Sequence, residues 1–501
     1  MSSPFDRRSF LQSSALGLGS LAALNGLPAV AAEDAKVNPD LVRLNPDIEP
    51  LVRLLEETPR EKLLEEVASR VKKGLAYRDV LTALLLAGVR NIQPRPSVGF
   101  KFHAVMVIHS AHLASLAGPD KERWLPIFWS LDQFKSSQAQ NAKESGWRMK
   151  GVDEPNVPPA RRAKETFVGA MTNWDEAKAD VAAAALARFR TANEAFDLFA
   201  RFGCRDFRDI GHKAIFVANA FRTLQVIGWQ HAEPVLRSLA FALLKHDEKG
   251  MPTGTAAADR VGVRNLDTAR KLPPTWMDGK TDTDATRDLL GTLRQANDAE
   301  ASDKAVSLLA NDVSPQSVWD GVFLGAAELL MRQPGIVGLH TLTTANALHY
   351  SYLATGNEET RKLLLLQAVS FLPLFRGAME ARGKVPEIRI DKLEAAEGKP
   401  ATPDEVYATL SKDKAAAAKL SLGFLNSQPN GGQALIDAGR VLVFTKGTDS
   451  HDYKFSAAVM EDYPWVSPEW RNRFLAASLF WLKGSAGPDS PLVKRTRAAL
   501  S

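Results

Sequence analysis

The chain has 501 residues, 45% of them apolar, and its 63 Lys and Arg against 58 Asp and Glu give a net charge of +5. So small an excess, with no basic cluster interleaved with aromatic residues, argues against a nucleic-acid partner, while the length permits two to three domains or one large helical one. The single cysteine, Cys204, excludes an internal disulfide, a zinc-thiolate site, a redox C-x-x-C pair and c-type haem attachment, so stability must come from packing.

At the N-terminus Arg7 and Arg8 precede Phe10 and Leu11, a mildly apolar run from Ala15 to Leu27, and Ala29-Val30-Ala31. This is the layout of a twin-arginine export signal with a small-residue cleavage site. Residues 1–31 are therefore expected to engage the twin-arginine machinery, leaving 32–501 in the periplasm or cell envelope. The apolar run is shorter than the roughly 20 residues of a membrane span, and charges interrupt the later apolar segments, so no transmembrane anchor is expected.

From Pro50 onward the hydrophobic period is helical almost everywhere. Apolar residues recur at three- and four-residue steps through 50–75 and 77–92, then 97–118, 122–140, 174–203 and 208–224. Further helical stretches follow at 232–246, 301–311, 318–333, 339–355, 359–379, 404–425, 431–445 and 468–484. Only Arg440–Thr445 and Glu387–Ile390 are ambiguous with strands. The expected class is all-α: one large multi-helix domain around a central cavity, in which residues 40–95 could form an N-terminal helical subdomain. Three stretches rich in Gly, Pro, Asp or Thr, 143–159, 249–286 and 384–403, read as irregular.

Polar groups enter these apolar helices at particular positions. His103, His109, His112, His212, His231, His340 and His349 all sit in such segments, and His451 lies in "TDSHDYKFSAA". At 100° per residue His103 and His112 face opposite ways, as do His340 and His349, so one member of each pair cannot join a common site. In "RDIGHKAIFVANAFRTL", His212, Asn219 and Thr223 share a stripe, and Asp209 stands three residues before His212, where its side chain could hold a ring nitrogen. Similar stripes join His340 to Thr343 or Thr344 and His451 to Lys454. Trp129 reads as core packing that could also floor the cavity. No H-E-x-x-H, E-x-x-H, phosphate loop, G-x-S-x-G or flavin signature appears outside the leader.

Four of these segments together resemble the questin oxidase-like family: "HAVM" at His103, "HKAIFVANAFRTL" at His212, "HTLT" at His340 and "HDYKFSAA" at His451. The second motif carries His212, Ile215 and Arg222, with Asn219 where a second histidine is expected. The resemblance covers about Phe102 to Ala458. It implies a helical fold and an oxygen-inserting oxidoreductase acting on a quinone-like aromatic compound, with NADPH as reductant; NADPH is not supplied outside the cytoplasmic membrane.

Two catalytic schemes remain open on the residues. Neutral imidazoles of His103, His212, His340 and His451 could remove a phenolic proton while Arg222 and Lys454 stabilise oxyanions, with Asn219, Thr343 and Trp129 contacting substrate. Alternatively, His103, His212 and His340 with Asp209 could hold a divalent transition metal. Against both stands a non-catalytic ligand-binding or scaffold protein whose buried polar groups lock helix packing.

Overall fold

The computed structural model describes residues 40–501 apart from 96, 250, 251 and 253, so the leader lies outside the described residues. Within them the chain forms 23 α-helices and no strand, the only β-type pairs being isolated bridges between Leu41 and Lys150 and between Lys280 and Val313. Asp40–Ser501 is one compact unit. Residues 40–95 are not set apart within it: Arg60 pairs with Asp132, and Arg495 near the C-terminus pairs with Glu65.

Local signals explain where helices break. The stretch read as continuous over 50–75 divides at Thr58-Pro59 into Glu49–Glu57 and Arg60–Lys72, because proline supplies no amide hydrogen to continue the first helix. The 174–203 stretch divides at Thr191, which opens Ala192–Gly203 with a reciprocal cap to Glu194. Arg440–Thr445 belongs to the helix Gly431–Lys446.

The 249–286 stretch differs from its reading, since it holds the 15-residue helix Ala257–Lys271 and the start of Thr283–Leu293. The first of these buries Asp259, Gly262 and Asn265 on the same face as the apolar Val261 and Ala269. Asn265 bonds Gln367, Ser370 and Ser302, and a Cβ on Gly262 would collide with the Arg205 carbonyl.

At the centre lie four helices, here α1 (Ile108–Ala117, entered through the single turn His103–Met106), α2 (His212–Ile227), α3 (Ile336–Ala354) and α4 (Ser450–Asp462). Each packs on the next, α1 on α2, α2 on α3, α3 on α4 and α4 on α1, closing a ring. Almost every residue of α2 and α3 is buried, as expected of helices that are apolar on all sides. The helix Glu358–Glu380 is the one described helix long and apolar enough to cross a membrane, an exception to the expectation that charges interrupt the apolar segments; 72% of its most apolar window is buried within the domain.

Candidate metal centre

The chain enters each of the four central helices at the same layer, and each contributes a histidine there. His103 opens the turn before α1, His212 is the first residue of α2, His340 lies in the first turns of α3, and His451 is the second residue of α4. One ligand atom from each of the four lies within 4.8 Å of the other three. His212 Nε2 stands 3.1 Å from His103 Nε2 and 2.9 Å from His340 Nε2, while the ring of His451 is centred 4.5 Å from His103 and 5.1 Å from His340. The space the imidazoles enclose is therefore the size of an ion.

The opposite nitrogen of every ring is held by an acceptor. Nδ1–H of His103 donates to the Phe100 carbonyl at 2.8 Å, that of His212 to the Asp209 carbonyl, that of His340 to the Ile336 carbonyl at 2.6 Å, and that of His451 to the Asp449 carboxylate at 2.5 Å. A carbonyl or carboxylate can only accept, so each Nδ1 carries the hydrogen and each Nε2 keeps its lone pair. Two lone pairs facing each other at 2.9 or 3.1 Å repel unless a cation lies between them. Metal-bound histidines have this outer arrangement, the distal nitrogen donating to an oxygen that fixes tautomer and ring orientation.

Unusual backbone delivers two of these oxygens. Phe100 has φ 50°, and Asp209, Ile210 and Gly211 have φ 51°, 46° and 84°, three consecutive left-handed residues that turn the Asp209 carbonyl toward its imidazole. Gly211 is required twice over, because a Cβ there would also collide with Thr344. Gly99 crosses the centre so closely that a Cβ would lie 3.3 Å from the His212 ring and 3.4 Å from the His103 ring.

Burial pushes the proton affinity of His103, His212 and His340 well below the usual histidine value, and the nearby Lys454 lowers it further. His451 is also lowered by burial, against the opposing pull of Asp449. Asp449 itself is held down at about 2, chiefly by its bond from His451. Lys454, one turn beyond His451 on α4, is 2% exposed, and its Nζ has no hydrogen-bond partner; burial brings its pKa down to about 7. Neutral imidazoles are the form a metal requires.

The other sequence candidates lie elsewhere. The Asp209 carboxylate does not reach His212: it accepts from Ser97 Oγ at 3.0 Å, Val98 N at 3.2 Å and Lys245 Nζ at 3.3 Å, and only its carbonyl serves the ring. Arg222 is ten residues, about 15 Å, along α2 from His212. It pairs with Glu461 at 3.1 Å and lies over the Tyr350 ring. Asn219 donates to the Met106 carbonyl at 2.9 Å and faces Arg222, so its amide stabilises the end of the turn before α1. Thr343 Oγ1 turns back to carbonyls of its own helix, 3.5 Å away. Trp129 packs on Tyr453 with ring centres 4.5 Å apart, behind α4.

His112 and His349 point away from the four, bonded to Tyr77 at 3.0 Å and set 3.5 Å from Asp462 respectively. Cys204 is fully buried, with burial raising its thiol pKa to about 12. Sequence reading missed Asp449, although an aspartate two residues before a histidine at a helix start was a usable signal. It also missed the Phe100 and Ile336 carbonyls, for which no side-chain signal exists. Comparison with protein-family models, curated proteins and solved structures returned no match.

Proposed function

We propose that this chain is a four-histidine transition-metal oxidoreductase of the cell envelope, acting on a small hydroxylated aromatic or quinone-like compound. One observation carries the metal reading: four Nε2 lone pairs converge while all four Nδ1 hydrogens are already committed. Metal–imidazole bonds of about 2.0–2.1 Å put neighbouring nitrogens roughly 3 Å apart, in keeping with the 2.9 and 3.1 Å contacts. A scaffold network would pair each lone pair with a donor, which this layer does not do. His451 replaces Asp209 as the fourth ligand, leaving an all-nitrogen set suited to zinc, copper, iron or nickel.

The bound metal would supply Lewis acidity and, if redox-active, electron exchange with dioxygen or a quinone. The rest falls to the chain. The Phe100, Asp209 and Ile336 carbonyls and the Asp449 carboxylate aim the rings, and Gly99 leaves room above His103 and His212. Lys454 Nζ, unpaired and with a pKa near 7, is poised to take the phenolic proton of a substrate. The reaction class and the aromatic substrate rest on the questin oxidase-like resemblance, and export rests on the twin-arginine layout. A pathway that carries folded chains suits a protein loaded with its metal beforehand.

The test is metal analysis of protein matured with its leader intact, followed by oxygen uptake with a hydroxyanthraquinone before and after chelation. About one metal per chain and uptake that chelation abolishes are expected. Binding of the anthraquinone without oxygen consumption would overturn the oxidoreductase reading.

A further inference from the structure

Two of the four histidines are aimed from within their own helices. The Ile336 carbonyl that holds His340 lies one turn back along α3, and the Asp449 carboxylate that holds His451 belongs to the residue capping α4. His103 and His212 are held differently. Their acceptors, the Phe100 and Asp209 carbonyls, stand outside the α-helices on residues with φ of 50° and 51°. A left-handed residue other than glycine keeps that shape only where its surroundings enforce it.

One side chain links the two segments. The Asp209 carboxylate, 8% exposed, crosses to residues 97–100, where Oδ2 accepts from Val98 N–H at 3.2 Å and Oδ1 from Ser97 Oγ–H at 3.0 Å. Ser97 Oγ accepts in turn from Gly99 N–H at 3.1 Å, one residue before the Phe100 whose carbonyl holds His103. Lys245 Nζ supplies the counter-charge to Asp209 at 3.3 Å and is itself tied to Asp247 at 2.9 Å.

We propose that Asp209 is a clamp that sets His103 and His212 together: its carboxylate holds the segment that aims the first ring, and its carbonyl aims the second. Both ends belong to one residue, so the clamp fixes the two carbonyls relative to each other and with them the 3.1 Å separation of the two Nε2 atoms. Gly99, held through Ser97, lies against both rings, where a Cβ would stand 3.3 Å from His212 and 3.4 Å from His103. Asp209 is thus a positioning residue, acting on two imidazoles through opposite ends of itself. Its effect on metal rests on the four-histidine reading, whereas the clamp is a property of the apoprotein and can be tested there.

The full chain, chelated and labelled with ¹⁵N-histidine, allows the imidazole Nδ1–H groups to be followed by NMR, each assigned by removing one histidine at a time. Asp209→Gly takes away the carboxylate and leaves a residue that adopts the same left-handed backbone without strain. Hydrogen exchange at Nδ1 of His103 and of His212 should become about tenfold faster in this variant. His340 and His451, aimed from their own helices, should keep the parent rates and so control for general loosening. Ser97→Ala leaves Asp209 whole and should speed His103 alone; it carries the test should Asp209→Gly not fold. With zinc restored, a competition titration should show affinity about 10–100-fold weaker in Asp209→Gly. A parent that takes up no zinc would sink the metal reading, and the exchange rates would still decide the clamp. Asp209→Gly that speeds His212 alone, neither ring, or all four alike would overturn the proposal, as would parent rates at His103 in Ser97→Ala.

Discussion

Removing His212 is the sharpest perturbation of the metal centre, because its Nε2 makes both of the closest nitrogen contacts, 3.1 Å to His103 and 2.9 Å to His340. Without metal, those contacts set lone pair against lone pair, so His212→Ala relieves them. The apo variant should then lie within about 2 kcal/mol of the apo parent. With metal, the same contacts are edges of the coordination shell, and the variant loses their common member. For the parent, free metal at 100 to 1,000 times its dissociation constant adds about 2.7–4.1 kcal/mol to folding stability. Unfolding entropy of roughly 2.1 cal/mol/K per residue converts each kcal/mol into about 1 °C for a unit the size of Asp40–Ser501. Differential scanning calorimetry of chelated protein, with and without zinc, should therefore show a rise of about 3–4 °C in the parent and little or none in the variant. An equal metal-induced rise in His212→Ala would refute the placement of His212 in the shell.

Other consequences follow from the same geometry. Asp449→Ser keeps a helix-capping oxygen but removes the carboxylate from His451, and should weaken metal about 10–100-fold in a competition titration with little change in thermal stability. Because His103, His212 and His340 bind protons less readily folded than unfolded, the unfolded chain takes up more protons below the ordinary histidine value of 6.5. Stability of the apoprotein should thus fall as pH drops through 6.5, by up to about 4 kcal/mol per pH unit if all three contribute. Urea melts at stepped pH check this, and a stability that rises on acidification would contradict it. Arg222→Ala leaves Glu461 without its counter-charge and should cost about 3 kcal/mol by urea denaturation, with Glu461 titrating well above its present value of about 2. Gly211→Ala meets both a φ of 84° and Thr344, and should cost about 1–3 kcal/mol. Thr344→Ala in the same chain should recover part of that loss, by removing the collision and leaving the backbone strain.

Part of this centre was legible before the fold was known, and the reasons are specific. Burying an imidazole in an apolar helix needs a partner, which marked seven histidines as candidates, and the four motifs of the questin oxidase-like resemblance, not position, singled out His103, His212 and His340 among them and added His451. Helical spacing correctly separates His112 from His103 and His349 from His340, because 100° per residue is a local property. Distance along an axis was harder to see. Arg222 and Asn219 share α2 with His212, but seven to ten residues carry them out of reach, into a different layer. Asp209 shows the limit from the other side: its spacing from His212 was right, yet a left-handed backbone sent the carbonyl to the ring and freed the carboxylate for Ser97, Val98 and Lys245. Main-chain acceptors leave no trace in residue type, so Phe100 and Ile336 became visible only once the fold was known.

X-ray absorption at the metal edge of the purified, export-competent protein examines the centre most directly. The proposed site predicts about four nitrogen scatterers near 2.0–2.2 Å with the outer-shell pattern of imidazole rings, diminished by one ring in His212→Ala. A protein that takes up no metal when apo material is titrated, or whose bound metal shows an oxygen-only shell without imidazole scattering, would contradict it.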